Sequence, residues 1–361
     1  MKKIGILFGG KSAEHEISLL SAKNIYEAID RTKFEPVLVG IDKSGRWLIN
    51  DASRFLLNAD NPSQISLSAD GKPAALQPES HGLLSAGNNG LSPVHLDAVF
   101  PILHGPFGED GTIQGFLKLA GIPFVGPGVL GSAVGMDKDA MKRLLRDAEL
   151  PIGKFLTVKS HEKAPSFAEV KTALGTPVFI KPANMGSSVG ISKVRNEDEY
   201  SSALKDAFQY DTKIVIEEFI PGREIECAVL GNEEPAASVP GEIIPTHDFY
   251  SYDAKYLDEK GASLEIPAKL DDETKRRVQE LAVKVFQALC CEGLSRVDFF
   301  LKADGEIIVN EINTMPGFTK FSMYPKLWEA SGVSYTELIT RLIELAISRF
   351  EKERMLKTSV V

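Results

Sequence analysis

The sequence predicts an α/β and α+β architecture in three parts: an N-terminal parallel α/β domain followed by two α+β domains. Three observations carry this. Over residues 1–122, short apolar runs alternate with stretches of helical period. A glycine- and serine-rich segment at 184–190 lies between two apolar runs, and Asp304-Gly305 divides two β-type runs near the C-terminus. A chain of 361 residues suits about two or three domains, taken here as 1–122, 123–220 and 221–361.

In the first part, strands at 4–8, 37–41 and 96–103 flank helices at 16–29 and 110–119; the first helix repeats Ile17, Leu20, Ile25 and Ala28. Residues 50–92 are rich in Ser, Asn, Gly and Pro, which predicts surface hairpins and loops. In the second part a helix at 137–147 stops before Pro151, and strands are expected at 155–158, 178–181, 191–194 and 213–219. The third part holds strands near 224–230 and 236–244, a polar and aromatic loop at 246–262, and a helix at 271–290. A hairpin at 294–313 and an amphipathic helix at 335–350 complete it.

Composition narrows the function. Apolar residues make up 43% of the chain, and the formal charge of -9 is interspersed, with no basic stripe. That excludes the electrostatic footprint of a nucleic-acid binder. No stretch reaches the ~20 apolar residues that cross a bilayer, and Met1 to Leu7 run straight into a strand without a signal-peptide pattern. Cys227, Cys290 and Cys291 lack metal or redox spacing and read as reduced thiols. The expectation is a cytoplasmic protein with a small-molecule partner.

Gly5 to Ser12 fits the phosphate-loop pattern G-x-x-x-x-G-K-[ST]. Context argues against it, because Ile6, Leu7 and Phe8 continue the first strand and keep Gly5 inside it. The turn at Gly9 to Ser12, just before a helix, still favours a nearby anion.

The hairpin carries more chemistry. A two-residue turn at Asp304-Gly305 would set Asp298 opposite Glu311 and Arg296 opposite Asn313, with all four side chains on one face. Val297, Phe299, Leu301, Ile308 and Ile312 would then form the core face, and Phe300 and Val309 would join the acids. Carboxylates opposed at about 4.5–5.5 Å between Cβ atoms repel unless a cation separates them. The oxygen donors Asp, Glu and Asn suit Mg2+ held together with phosphate. The alternative is a solvated charged face in which Arg296 pairs with the acids.

Lys181 ends an apolar strand just before the glycine-rich segment, where a cation meets a mobile phosphate cover. Lys138 begins a helix, an unfavourable place for a cation that a bound anion would explain. Glu217-Glu218 closes a strand where a carboxylate could meet an adenine amino group, and Glu224 on the next strand could accept from ribose hydroxyls.

Seven ordered stretches then resemble the D-alanine:D-alanine ligase family of the ATP-grasp superfamily, across essentially the whole chain. They are Gly9 to Ser18 (GGKSAEHEIS), His104 to Thr112 (HGPFGEDGT), Met136-Asp137-Lys138, Lys181-Pro182 with Gly186 to Gly190 (GSSVG), Tyr252 to Tyr256 (YDAKY), Arg296-Val297-Asp298, and Asn310 to Gly317 (NEINTMPG). The resemblance implies a three-domain ATP-grasp fold whose two α+β domains sandwich ATP. Lys138, Lys181 and Ser188 would hold ATP, with Glu217 at the adenine and Glu224 at the ribose. Asp298, Glu311 and Asn313 would bind two Mg2+ ions, or Mn2+. Glu16 would grip the ammonium of the first D-alanine beside His104, Ser187 and Tyr256 would close over it, and Ser322 would hold the carboxylate of the second.

The implied reaction forms an acyl phosphate, which the second amine attacks while Arg296 and the Gly317 N–H stabilise the oxyanion. Such an intermediate must be kept from water, and 184–190 and 246–262, with Phe249, Tyr250, Tyr252 and Tyr256, are the segments suited to closing the site. A homodimer through the N-terminal part is also implied. The rival readings are a D-alanine:D-lactate ligase or another carboxylate–amine ligase, a phosphate-loop switch using Lys11, and a non-catalytic ATP-binding module.

Overall fold

The computed structural model describes residues 1–59, 61, 64–77, 82–87, 90–245, 262–357 and 359. The N-terminal strands are β1 (Lys2–Gly9), β2 (Phe34–Ile41), β3 (Trp47–Asn50), β4 (Leu56–Leu57), β5 (Ser66–Leu67), β6 (Lys72–Gln77), β7 (Gly82–Gly87), β8 (Gly90–His95) and β9 (Ala98–Ile102). Apart from the β4–β5 ribbon they form one sheet in the order β8-β7-β6-β3-β2-β1-β9. Strands β2, β1 and β9 run parallel; the 50–92 stretch adds an antiparallel meander, so the expected parallel unit is one end of a mixed sheet. Gly5 pairs with Val37 and Val99 inside β1, and Lys11 is exposed. There is therefore no phosphate loop here.

The turns that follow the parallel strands meet at their carboxyl ends, the crevice where open α/β sheets place ligands. Gly9 has φ +91°, and a Cβ on it would lie 2.2 Å from the Ile41 carbonyl oxygen, so only glycine fits. Helix α1 (His15–Ala28) starts one residue earlier than the periodicity suggests. Its Ser18 hydroxyl accepts from Gly9 N at 2.8 Å and donates to Ile102 O, pinning the helix to the ends of β1 and β9.

After α2 (Thr112–Leu119), α3 (Val129–Met136) and α4 (Lys138–Asp147), a second sheet forms from β10 (Phe155–Lys159), β11 (Val178–Pro182), β12 (Ser192–Val194) and β13 (Lys213–Glu218). Its order is β10-β13-β11-β12, backed by α5 (Phe167–Leu174) and α6 (Glu197–Ala207). The third sheet comprises β14 (Arg223–Gly231), β15 (Ala236–Ala237), β16 (Gly241–Pro245), β17 (Ala262–Glu265), β18 (Gly293–Leu301) and β19 (Ile307–Asn313). Helix α7 (Asp272–Ala288) covers one face through Val278, Ala282, Val285 and Phe286. Helices α8 (Met323–Ala330) and α9 (Tyr335–Arg354) join a cluster running from Ile4, Phe8 and Phe100 through Phe318 to Tyr324 and Leu338. The first and third sheets are thus fastened through shared apolar packing.

The β18–β19 hairpin corrects one expectation. Lys302 N bonds Glu306 O and Gly305 N bonds Lys302 O, so the loop spans three residues, 303–305, with Gly305 at φ +84°. Leu301 therefore faces Ile307, and Phe299 faces Val309. A bulge then restores the expected pairs, Asp298 with Glu311 and Arg296 with Asn313. The two irregularities cancel at the functional residues but not nearer the turn. Ile307 and Val309 pack on the core face, and Ile308 shares the other face with Phe300.

Candidate active site

The second sheet sets a carboxylate between two aromatic residues. Glu217 on β13 lies directly across from Phe155 on β10 and Phe179 on β11, so the three share a face. Two lysines close on it: Lys181 Nζ is 2.6 Å from Oε2 and Lys142 Nζ is 3.0 Å from Oε1. Burial opposes the Glu217 charge, yet Lys142 and Lys181 pull its pKa down to about 2. Burial also opposes the Lys181 ammonium, and Glu217 and Glu311 outweigh it, raising its pKa. Glu218 is turned elsewhere, accepting from Lys154 N at 2.7 Å.

Lys138 bridges this group to the hairpin. Its Nζ donates to Met185 O at 2.6 Å and lies 3.9 Å from Glu311 Oε2; burial, its largest influence, lowers its pKa. Asp137 caps α4 by accepting from Ala140 N at 3.0 Å, which offsets the cost of a cation at the helix start. The glycine-rich segment turns at Ser187 and Ser188, both with positive φ (50° and 61°), a conformation that surrounding contacts must hold. One such contact is the Ser187 hydroxyl, which donates to Glu14 Oε1.

On the hairpin, Arg296 clasps Asp298 with Nε on Oδ1 and Nη2 on Oδ2, both at 2.7 Å, and its Nε also lies 2.7 Å from Glu226 Oε2. Burial opposes the guanidinium charge, but Asp298 and Glu226 hold its pKa well above the ordinary value. Asn313 Nδ2 donates to Asp298 Oδ2 at 2.9 Å, which leaves its Oδ1 as the ligating end. Glu224, Glu226, Ile243, Asp298, Phe300 and Glu311 line a small cavity on this face. Among the described residues no three His, Cys, Asp or Glu side chains converge as a metal cluster. The donor set of two opposed carboxylates and one amide nevertheless fits a hard cation whose remaining ligands are phosphate oxygens and water.

Across the crevice, the turns after β1 and β9 contribute Glu14, His104 and Glu109. His104 is buried and its pKa is lowered by that burial; Nδ1 donates to Met315 O at 3.1 Å, which leaves Nε2 to accept from Ser21 Oγ at 3.3 Å. Glu109 accepts from Gly105 N at 2.9 Å and Met315 N at 3.1 Å. Burial, and then Glu14, push its pKa up to about 8. Ser322 precedes α8, and its Oγ accepts from Thr319 N at 2.9 Å. A Cβ added to Gly317 would lie 2.7 Å from that same Oγ, so Gly317 and Ser322 are neighbours.

The structure therefore brings together Lys138, Lys181 and Glu217, and separately Arg296, Asp298, Glu311 and Asn313, with Glu224 and Phe300 alongside. Glu16, expected at the first substrate, is ion-paired to Lys43 at 2.6 Å and one-third exposed, whereas Glu14 is buried in the crevice and bonded to Ser187. Glu14 and Glu16 stand in the same motif, GGKSAEHEIS, and the motif alone does not say which of the two acids faces the crevice. Glu109, Glu226 and Lys142 were also missed: each is one charged residue in a polar run, and only its distant partners single it out. Of the segment 246–262, expected as a lid, residues 246–261 with Tyr256 lie outside the described residues, and Ala262 begins β17.

Two family models cover most of the chain, "D-ala D-ala ligase N-terminus" over residues 3–127 and "D-ala D-ala ligase C-terminus" over residues 144–344. The chain is 58% identical over 360 residues to D-alanine–D-alanine ligase of Oceanobacillus iheyensis, covering 99% of this chain and 98% of the relative. It is 54% identical over 361 residues to D-alanine–D-alanine ligase A of Salmonella typhimurium, covering 99% of each. Among solved structures it is similar to the D-alanine-D-alanine ligase from Coxiella burnetii, with TM-score 0.85, 36% identity, and 98% and 97% of the two chains covered. It is also similar to VanG D-Ala:D-Ser ligase from Enterococcus faecalis, with TM-score 0.84, 38% identity, and 96% and 99% covered.

Proposed function

This chain belongs to the D-alanine–D-alanine ligase family, and we propose a division of labour among the residues gathered in its crevice. It is an ATP-dependent ligase of ATP-grasp fold that joins two D-alanines for peptidoglycan synthesis, and it uses a divalent metal. One observation carries the residue assignment: the glycine-rich segment touches both halves of the site, through Met185 to Lys138 and through Ser187 to Glu14.

On the nucleotide side, Lys138, Lys181 and Ser188 hold the phosphates, Glu217 accepts from the adenine amino group between Phe155 and Phe179, and Glu224 takes the ribose. Asp298, Glu311 and Asn313 would hold two Mg2+ ions, or Mn2+, which would supply positive charge to offset that of the phosphates. On the amino-acid side, Glu14 in place of Glu16 receives the ammonium of the first D-alanine, with His104 beside it. That substrate's carboxylate attacks the γ-phosphorus to give D-alanyl phosphate and ADP. Ser187 and Tyr256 close over it, excluding water.

The second D-alanine places its carboxylate at Ser322, where the N-terminus of α8 favours an anion. Its free amine attacks the activated carbonyl while Arg296 and the Gly317 N–H receive the oxyanion, and phosphate departs. Arg296 suits this task because two carboxylates fix its guanidinium in place.

Among the described residues no helix is long and apolar enough to cross a membrane, and we place the enzyme in the cytoplasm. We also propose a homodimer through the N-terminal part, where Phe116 and Leu119 are exposed beside the exposed Val129 and Leu130 of α3. The similarity to a D-Ala:D-Ser ligase concerns the second substrate. The deciding experiment measures phosphate release with ATP, Mg2+ and D-alanine against L-alanine, D-lactate and D-serine controls. Release that ignores D-alanine, or that needs D-lactate or D-serine as the second substrate, would overturn the assignment.

A further inference from the structure

Lys142 lies one turn beyond Lys138 on α4 and is 3% exposed. The reaction as described gives it no task. Its Nζ lies 3.0 Å from Glu217 Oε1 while Lys181 occupies Oε2, and each ammonium sits 5.8 Å from one of the flanking rings, Phe155 for Lys142 and Phe179 for Lys181. One buried carboxylate thus serves two cations, one on each oxygen.

The two lysines cannot have the same fate. Lys181 must turn to the phosphates when ATP enters, and Glu217 then loses the cation on Oε2. A buried carboxylate with no cation takes up a proton instead. It would then be able to donate to a purine 6-oxo group as readily as it accepts from a 6-amino group. Lys142, anchored on the helix, has no phosphate to follow in this arrangement.

We propose that Lys142 is a positioning residue for the nucleotide: it stays on Oε1 of Glu217, keeping the carboxylate charged and Oε2 turned to the adenine amino group, and so sets the preference for adenine over 6-oxopurines. This deepens the reading of Glu217 as the adenine contact and rests on it.

The test measures equilibrium binding of non-hydrolysable ATP and ITP analogues to the full chain by calorimetry. Lys142→Met should weaken ATP binding by about 10- to 100-fold, the scale of a hydrogen bond to a charged group, and narrow the preference over ITP. The apparent KM for D-alanine should shift far less than the ATP affinity. Lys142→Arg should restore most of the ATP affinity, because a cation returns to Oε1. In a Glu217→Gln background, where no carboxylate needs neutralising, Lys142→Met should change ATP binding by less than about twofold. This double variant also decides the matter if Lys142→Met alone does not fold.

Wild-type ATP binding by Lys142→Met, or additive losses in the double variant, would overturn the role of Lys142 while leaving Glu217 at the adenine. If Glu217→Gln keeps the full preference for ATP over ITP, the adenine reading itself fails, and this proposal falls with it.

Discussion

Asp298 stands opposite Glu311 only because Asn310 bulges out of β19. Given the three-residue turn, a regular ladder would have put Asn310 opposite Asp298 and sent Glu311 to the core face. The bulge gathers the two carboxylates on the face that lines the crevice, and bulges at such places commonly re-aim a side chain. Replacing either acid by its amide should expose this pairing. Asp298→Asn or Glu311→Gln is expected to raise the Mg2+ needed for half-maximal phosphate release on the order of 10- to 100-fold. A metal titration at saturating ATP checks it, and an unchanged midpoint would remove the pair from the metal site.

Glu14 and Glu16 separate two accounts of the first substrate. Glu14 is buried and accepts from Ser187, whereas Glu16 pairs with Lys43 near the surface. Glu14→Gln should lower kcat/KM for D-alanine by about 10- to 100-fold, as loss of a charge-assisted hydrogen bond does. Glu16→Gln should change it by less than about threefold and cost under about 1 kcal/mol of stability, as exposed pairs do. Steady-state kinetics on both variants settle the order of effects, and the reverse order would restore Glu16.

The Arg296 clasp predicts a split between half-reactions. Arg296→Lys keeps the charge but loses the fork that grips Asp298 and Glu226. Dipeptide formation should fall by about 10²–10³-fold, the cost of one oxyanion donor. ATP cleavage should fall less, so phosphate release would exceed dipeptide formed. Equal losses in both would contradict a role confined to the second step.

The lysine pair on Glu217 has a consequence for acid stability. Its pKa is about 2 in the fold against an ordinary 4.5, so the unfolded chain takes up the proton first. The contribution is therefore fully present above pH 4.5 and is lost as pH falls from 4.5 toward 2. By the usual conversion it amounts to about 3 kcal/mol for the group as a whole. Chemical denaturation of wild type and Glu217→Gln across that range should show the gap between them shrinking as pH drops. A constant gap would mean that the lysines do not hold the carboxylate charged.

What the sequence by itself determined was periodic and local. Alternation of period two set Arg296 with Asp298 on one face of β18 and Glu311 with Asn313 on one face of β19, and the ordered motifs carried the fold class and the family; that the two pairs share a face was decided by the bulge at Asn310. Lys181 at a strand end before the glycine-rich segment was legible for the same reason. Tertiary structure decided the partners. Near a helix start, residues two apart point in nearly opposite directions, so whether Glu14 or Glu16 enters the crevice hung on where α1 begins and on Ser187, 173 residues away. Likewise Lys142 and Glu226 gain meaning only from Glu217 and Arg296, which reach them from other elements of the fold. A sequence pattern records which face of an element is apolar. Which charges meet across elements depends on how those faces pack, because a buried charge takes whichever counter-charge the packing brings within reach.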